Sequence, residues 1–190
     1  AKDGTTAELL WGFADGGKCA KIGAYAFMDC TALKFVTIPA TVHTLGVSGF
    51  EGCEALESIT IPANVTQLGN SLFATCYALS DVTLETKATA LPGYMFANCE
   101  KLTTIVIPSA VTSIGNGCFT GTGIEAFEVD ANNTAFAVVD GVLYKADKTQ
   151  IVYYPEQRKA ASLTIPKEAI LIGEETFAYN EVLKEIIFEA

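Results

Sequence analysis

Apolar residues recur along this chain at one long, fixed step. Phe27, Phe50, Phe73, Phe96 and Phe119 stand 23 residues apart. Three residues after the first four come Cys30, Cys53, Cys76 and Cys99, and six residues after come Leu33, Leu56, Leu79 and Leu102. Each unit runs on to Ile38, Ile61, Leu84 or Ile107, followed by Pro39, Pro62 and Pro108 in three of them, and then to Val42, Val65 and Val111. It restarts on an aliphatic-glycine pair: Ile22-Gly23, Leu45-Gly46, Leu68-Gly69, Ile114-Gly115 and Ile172-Gly173, with Leu91-Pro92-Gly93 as a variant. A stretch such as Leu33, Val36, Ile38 alternates at its end and is β-branched, which predicts a short strand with Val and Ile inward. Proline ends it. The glycine, a polar pair and Phe predict a tight turn into a short helix that points Phe and Cys inward. Twenty-three residues cannot close a core alone, so the units must stack, Phe on Phe and Leu on Leu, with their strands side by side in a parallel sheet. The fold class expected is an α/β solenoid.

Two places depart from the pattern. In the fifth unit Phe119-Thr120-Gly121-Thr122-Gly123-Ile124 is one residue short, its cysteine position is empty, and Cys118 fills the small-residue slot before Phe. From Phe119 the next Phe in phase is Phe177, 58 residues on, so an insertion interrupts the stack. Within it, Phe136 to Val139 and Val142 to Tyr144 flank Asp140-Gly141, a strong hairpin signal, and a further strand is expected from Gln150 to Tyr154. This segment either pads the solenoid or shapes a ligand-contacting edge. The pattern then returns through Leu163, Ile165, Pro166, Phe177, Leu183, Ile186 and Phe188, with Asn180 in the cysteine position. The expected organisation is one domain over 1–190: a cap or partial repeat (1–21), repeats (22–129), an inserted β-hairpin segment (130–158) and final repeats (159–190). Leu9, Leu10, Trp11 and Phe13 are candidates to cover the open first unit. The last apolar layer lacks an obvious polar cap, so either more chain follows or two chains meet end to end.

Ile22-Gly23-Ala24-Tyr25-Ala26-Phe27-Met28-Asp29-Cys30 resembles the signature of the BspA-like, or Treponema-type, leucine-rich repeat family, over roughly residues 20 to 188. The resemblance implies a right-handed stack with short parallel strands on a concave face. It also implies a bacterial cell-surface or secreted protein that attaches to host or matrix proteins or to other cells. Inserts with the same Asp-Gly-Val-Leu-Tyr core and a later Tyr-Tyr-Pro occur in relatives of that family.

Composition narrows the partners. Half the residues are apolar and 18% are charged, so the chain folds, and no apolar run approaches the roughly 20 residues of a membrane span. A net charge of −10 repels phosphate backbones and anionic lipid, which argues against nucleic acid and membrane insertion. No signal peptide is visible at the N-terminus, so either the chain stays inside the cell or a leader has been removed. The six cysteines suggest disulfides, but Cys30, Cys53, Cys76 and Cys99 fall in equivalent inward positions that aim their sulfurs badly for bridging. They are expected to be free, inert thiols, and a Cys19 to Cys118 bridge would join distant units. No Cys-x-x-Cys or paired histidine points to zinc, and His43 alone supports no imidazole chemistry. The repeated Ile-Gly pairs are turns and not a phosphate cradle. Asn64 and Asn132 head glycosylation-type triplets, and Asp130, Asn132 and Asn133 read as a plain turn ahead of a calcium site. No catalytic residue, metal or cofactor is expected.

Function is expected instead on the outward strand positions: Lys34, Phe35 and Thr37; Glu57, Ser58 and Thr60; Asp81 and Thr83; Thr104; Glu125 and Glu128. Thr37, Thr60, Thr83 and Thr164 suggest a threonine ladder, which also suits any exposed strand. An acidic, hydroxyl-rich strip beside an exposed Phe35 suits an extended partner with basic residues. The leading reading is a non-enzymatic protein-binding or adhesion module acting on an extracellular or host protein. The alternative is a spacer that carries another domain.

Overall fold

The computed structural model describes residues 6–7, 19–174 and 176–189. Two rows of short strands run along the stack. One holds β1 (Thr6–Ala7), β3 (Phe35–Val36), β5 (Ser58–Ile61), β7 (Asp81–Leu84), β9 (Val106–Ile107) and β11 (Glu128–Val129). The other holds β2 (Lys21–Ile22), β4 (Thr44–Leu45), β6 (Gln67–Leu68), β8 (Ala90–Leu91) and β10 (Ser113–Ile114). They are followed by β12 (Phe136–Val139), β13 (Val142–Lys145), β14 (Gln150–Tyr153), β15 (Ser162–Ile165), β16 (Leu171–Ile172) and β17 (Glu185–Phe188). Except at one step, neighbours within each row pair in parallel, for example Ile59 with Val82 and Leu45 with Leu68. In β5 the inward Ile59 and Ile61 are buried while Thr60 between them is exposed, the alternation expected of a half-buried strand. The chain is a β-solenoid.

The short helices expected around each Phe are absent among the described residues, so the α/β expectation is corrected to an all-β stack. The backbone there turns twice per coil through left-handed residues, two before Phe (Tyr25, Ser48, Ser71, Tyr94, Gly117) and two after it (Asp29, Gly52, Thr75, Asn98, Gly121), all with φ between 52° and 72°. A helix spends its N–H groups on its own preceding turn; these N–H groups leave the coil. In coil after coil the N–H two before Phe, that of Phe, and that two after it donate to carbonyls of the following coil. Tyr25, Phe27 and Asp29 donate to Val47, Gly49 and Glu51, and Tyr94, Phe96 and Asn98 donate to Asn116, Cys118 and Thr120, at 2.7–3.1 Å. Every bond in this turn row points toward the C-terminal end.

The core is a column of equivalent side chains. Phe27, Phe50, Phe73, Phe96 and Phe119 stack with centroids 5.1–5.9 Å apart and planes within 5–10° of parallel. Burying each ring contributes about 1.5–3 kcal/mol, and the pair geometry adds about 0.5–1.5 kcal/mol. The cysteines are free thiols. Cys53, Cys76 and Cys99 are buried, and each Sγ donates to the carbonyl of a Phe in the preceding coil (Phe27, Phe50 and Phe73) at 3.2 Å. Burial pushes Cys53 and Cys99 up to about 12 and raises Cys76 as well. Cys30, expected inward, is exposed in the first complete coil.

In three coils the stacking is so close that the glycine after the aliphatic residue has no room for a side chain. A Cβ on Gly46 would stand 2.5 Å from Ala24 N, on Gly69 2.3 Å from Val47 N, and on Gly115 2.4 Å from Gly93 N. Pro92 occupies this slot in the fourth coil. It brings a Cβ and lacks the N–H that Gly46, Gly69 and Gly115 donate to Ile22, Leu45 and Leu91. Both strand rows are interrupted at this step, between β6 and β8 and between β7 and β9, so the expected continuous sheet is broken into segments. Only the turn row and the apolar column run through.

Residues 130–158 are part of the stack. Strands β12 and β13 pair antiparallel across Asp140-Gly141, β14 pairs antiparallel with β13, and its other edge pairs in parallel with β16. β13 is a partition: Leu143 packs into the first core, while Val142 and Tyr144 belong to a second one with Ile151, Tyr154, Leu163 and Ile165. The parallel ring stack ends here. Phe119 meets Phe127 and Tyr153 edge-on at 5.2 and 5.4 Å, and Tyr154 packs on Phe177 at 5.1 Å. In the last coil Ile170, Leu171, Ile186, Ile187 and Phe188 are exposed. The candidate cap Leu9, Leu10, Trp11 and Phe13 lies outside the described residues.

Candidate functional site

The outward side chains of β3, β5 and β7 form one surface because the parallel register aligns them. Phe35 lies beside Ser58 and Ser58 beside Asp81, while Thr60 lies beside Thr83. Phe35 is 42% exposed although it is a large apolar residue. Thr37, Glu57, Thr60, Asp81, Thr83, Thr104, Glu125 and Glu128 are exposed, and Lys34 and Ser58 are half-buried. Lys34 reaches Glu57 at 3.4 Å and Lys159 reaches Glu125 at 2.6 Å, both at the surface, where such pairs contribute about 0–1 kcal/mol. A shallow hollow of about 330 Å³ is lined by Phe35, Val36, Thr37, Ser58, Ile59 and Thr60.

The strand interruption between β7 and β9 divides the named residues into two groups. On one side are those from Lys34 to Thr83; on the other are Thr104 and Glu128, with Glu128 beside Val106 in the β9–β11 pair. Thr164 belongs to neither. It pairs with Ile187 in the separate β15–β17 sheet, so the threonine ladder stops at Thr83. Between the two groups opens a second hollow of about 450 Å³, lined by Val82, Thr83, Glu85, Lys87, Val106 and Asp130 among others. Glu85 and Lys87 were not singled out from the sequence, and Asp130 was read there only as part of a turn. The available signal was the missing proline after Leu84, which leaves Glu85 free to donate its N–H to Ile61 and extends the β5–β7 pairing by a rung.

What this surface offers is apolar contact at Phe35 and Val106, hydroxyls, and carboxylates. His43 is exposed with Nδ1 3.0 Å from the Asn64 carbonyl, and it stands apart from the outward strand residues. The Asn133 side chain is spent on the backbone. It donates to the Pro108 and Val111 carbonyls at 2.7 and 2.9 Å and accepts from Ala135 and Phe136, the work of a turn staple.

Comparison with known proteins places these features among relatives. The profile of the BspA type leucine rich repeat region matches in six copies over residues 20–138. Among solved structures, the chain is similar to the pneumococcal vaccine antigen PcpA, with a TM-score of 0.78 and 26% identity over 90% of this chain and 43% of that one. It is similar to a leucine rich cell surface protein from Faecalibacterium prausnitzii, with a TM-score of 0.68 and 25% identity over 90% of this chain and 58% of that one. The leucine rich repeat protein of T. pallidum shares the fold, with a TM-score of 0.63 and 19% identity over 96% of this chain and 68% of that one. The chain thus spans about half the length of the first two. No curated protein matches it.

Proposed function

Because the chain belongs to the BspA type leucine-rich repeat family, we propose that it is a non-enzymatic protein-binding module of a cell-surface or secreted protein. The observation that carries this is the exposed Phe35, held in register with Ser58 and Asp81 on a face of hydroxyls and carboxylates. Large apolar side chains on an otherwise polar face mark contact sites, and aromatic residues supply much of the energy of protein interfaces. We take this face to be the concave one, and the partner to be an extended stretch of an extracellular or host protein with basic residues complementing Glu57, Asp81 and Glu128. The descriptions of two relatives, a vaccine antigen and a cell surface protein, support a location at or outside the bacterial surface. We read residues 130–158 as an insertion within the stack, with β12 as its outer edge.

The test is a triple variant, Phe35→Ala with Glu57→Gln and Asp81→Asn, compared with the parent for capture of host surface and matrix proteins. All three residues are exposed, so the unfolding free energy should stay within about 0.5 kcal/mol of the parent. Capture should fall at least tenfold, and the residual binding should be less salt-sensitive than the parent's. An identical captured set, with identical salt dependence, would leave the spacer reading in its place.

A further inference from the structure

The turn row is polar, and something must receive its last donors. In the first four coils the N–H groups of Phe and of the residue two after it donate to the carbonyls of the next coil. In the fifth coil the equivalent donors are Phe119 and Gly121, and the next stretch of chain arrives as a hairpin and not as a coil. Two side chains take the place of the missing carbonyls. Phe119 N donates to the Tyr153 hydroxyl at 3.1 Å, and Gly121 N donates to both carboxylate oxygens of Glu156, at 3.0 and 2.9 Å.

The loop that brings Glu156 there is fixed from its other side. Asn180, in the position where earlier coils carry cysteine, donates through Nδ2 to the carbonyls of Glu156 and Arg158 at 2.8 and 3.2 Å, with Pro155 more distant at 3.4 Å. Its Oδ1 accepts from Val182 and Leu183 at 3.0 and 2.7 Å. Pro155 is buried and Glu156 half-buried. Arg158 Nε donates to the Asp140 carbonyl at 3.0 Å, tying the loop to the hairpin turn.

We propose that the C-terminal-facing backbone of the fifth coil, centred on the Gly121 N–H, is a carboxylate-binding site that the protein fills with its own Glu156. Gly121 is left-handed, with φ 72°, and a Cβ there would stand 2.4 Å from the Asn98 Oδ1 of the preceding coil, so the N–H is held in place by the stack. A planar anion with two oxygens suits one N–H approached by both. The site ends the first stack: a carboxylate occupies the place where a further coil would present its carbonyl. This inference does not rest on the binding role of the strand face.

Chemical rescue tests it. In Glu156→Ala, amide exchange at Gly121 should accelerate about ten- to a hundredfold, the range of a lost charged hydrogen bond. Sodium acetate at about a tenth molar should slow it again, relative to sodium chloride at equal ionic strength, and leave the parent unaffected. Tyr153→Phe should accelerate exchange at Phe119 and spare Gly121. If Glu156→Ala does not fold, Glu156→Gln decides. It keeps one carbonyl acceptor and should show intermediate Gly121 protection; full parental protection there would overturn the proposal. Gly121 exchange unchanged in Glu156→Ala, or acetate acting no differently from chloride, would overturn it equally.

Discussion

Adding one methyl group at the repeated glycine slot should reveal how tightly the coils are stacked. A Cβ on Gly69 would stand 2.3 Å from Val47 N, 2.5 Å from Gly46 C and 2.6 Å from Val47 Cα, all backbone atoms that no rotamer change can move. Ordinary contact begins near 3.4 Å, so the third coil must retreat by roughly 1 Å from the second. That movement stretches the Gly69 to Leu45 hydrogen bond, now 2.9 Å. Overpacking of this kind costs about 1–3 kcal/mol and a lost rung about 0.5–1.5 kcal/mol, so Gly69→Ala should destabilise by about 2–4 kcal/mol. The same substitution elsewhere in the repeat is its control. At Gly173 the nearest atoms are Thr176 Oγ1 at 3.2 Å and the Ile151 carbonyl at 3.3 Å, and Gly173→Ala should cost less than about 1 kcal/mol. At Gly23 no atom of the described residues lies within 4 Å, so Gly23→Ala should be neutral or stabilising by up to about 1 kcal/mol. Urea unfolding with a shared m-value measures the series. Equal midpoints for Gly69→Ala and Gly23→Ala would refute the close approach of the coils.

Two further outcomes follow from titratable groups. Under native conditions at neutral pH, iodoacetamide should modify Cys30 first, while Cys53, Cys76 and Cys99 react only on unfolding, because burial raises their thiols and blocks access; mass spectrometry of the digested protein reads this, and early labelling of Cys76 would contradict its place in the column. Burial raises the Glu156 carboxyl above its ordinary value, outweighing the lowering effect of the Gly121 N–H. The native state therefore holds that proton more tightly than the unfolded chain does. The associated stability is complete below the unfolded value and is lost as pH rises through the folded one. Over that window the parent should lose stability relative to Glu156→Gln, and parallel pH profiles would rule this out.

Residues that repeat were legible because each does the same thing in every coil. The ring column, the parallel strands and the free cysteines could be read from spacing alone. The helix expectation failed for a specific reason. Ser71 and Thr75 carry no sequence mark of a left-handed backbone, and what holds them there is a row of bonds to the next coil. The candidate face was half legible: its outward residues follow from alternation, but its division between β7 and β9 does not. Pro92 stood in plain view as a variant of the glycine slot, yet its effect depends on a close contact that only the stacked coils create.

By itself, then, the order of residues determined the period, the inward and outward positions, and the need for coils to cover one another, because a 23-residue unit cannot bury its own Phe and Leu. It also marked where the period fails, after Phe119. Only the tertiary structure decided how the chain crosses that failure. β13 is buried on both sides as a wall between two cores, and Tyr153 and Glu156 receive the backbone donors that a next coil would have taken. Those roles belong to single, unrepeated residues that meet across more than 30 positions of chain, and periodicity is silent about them.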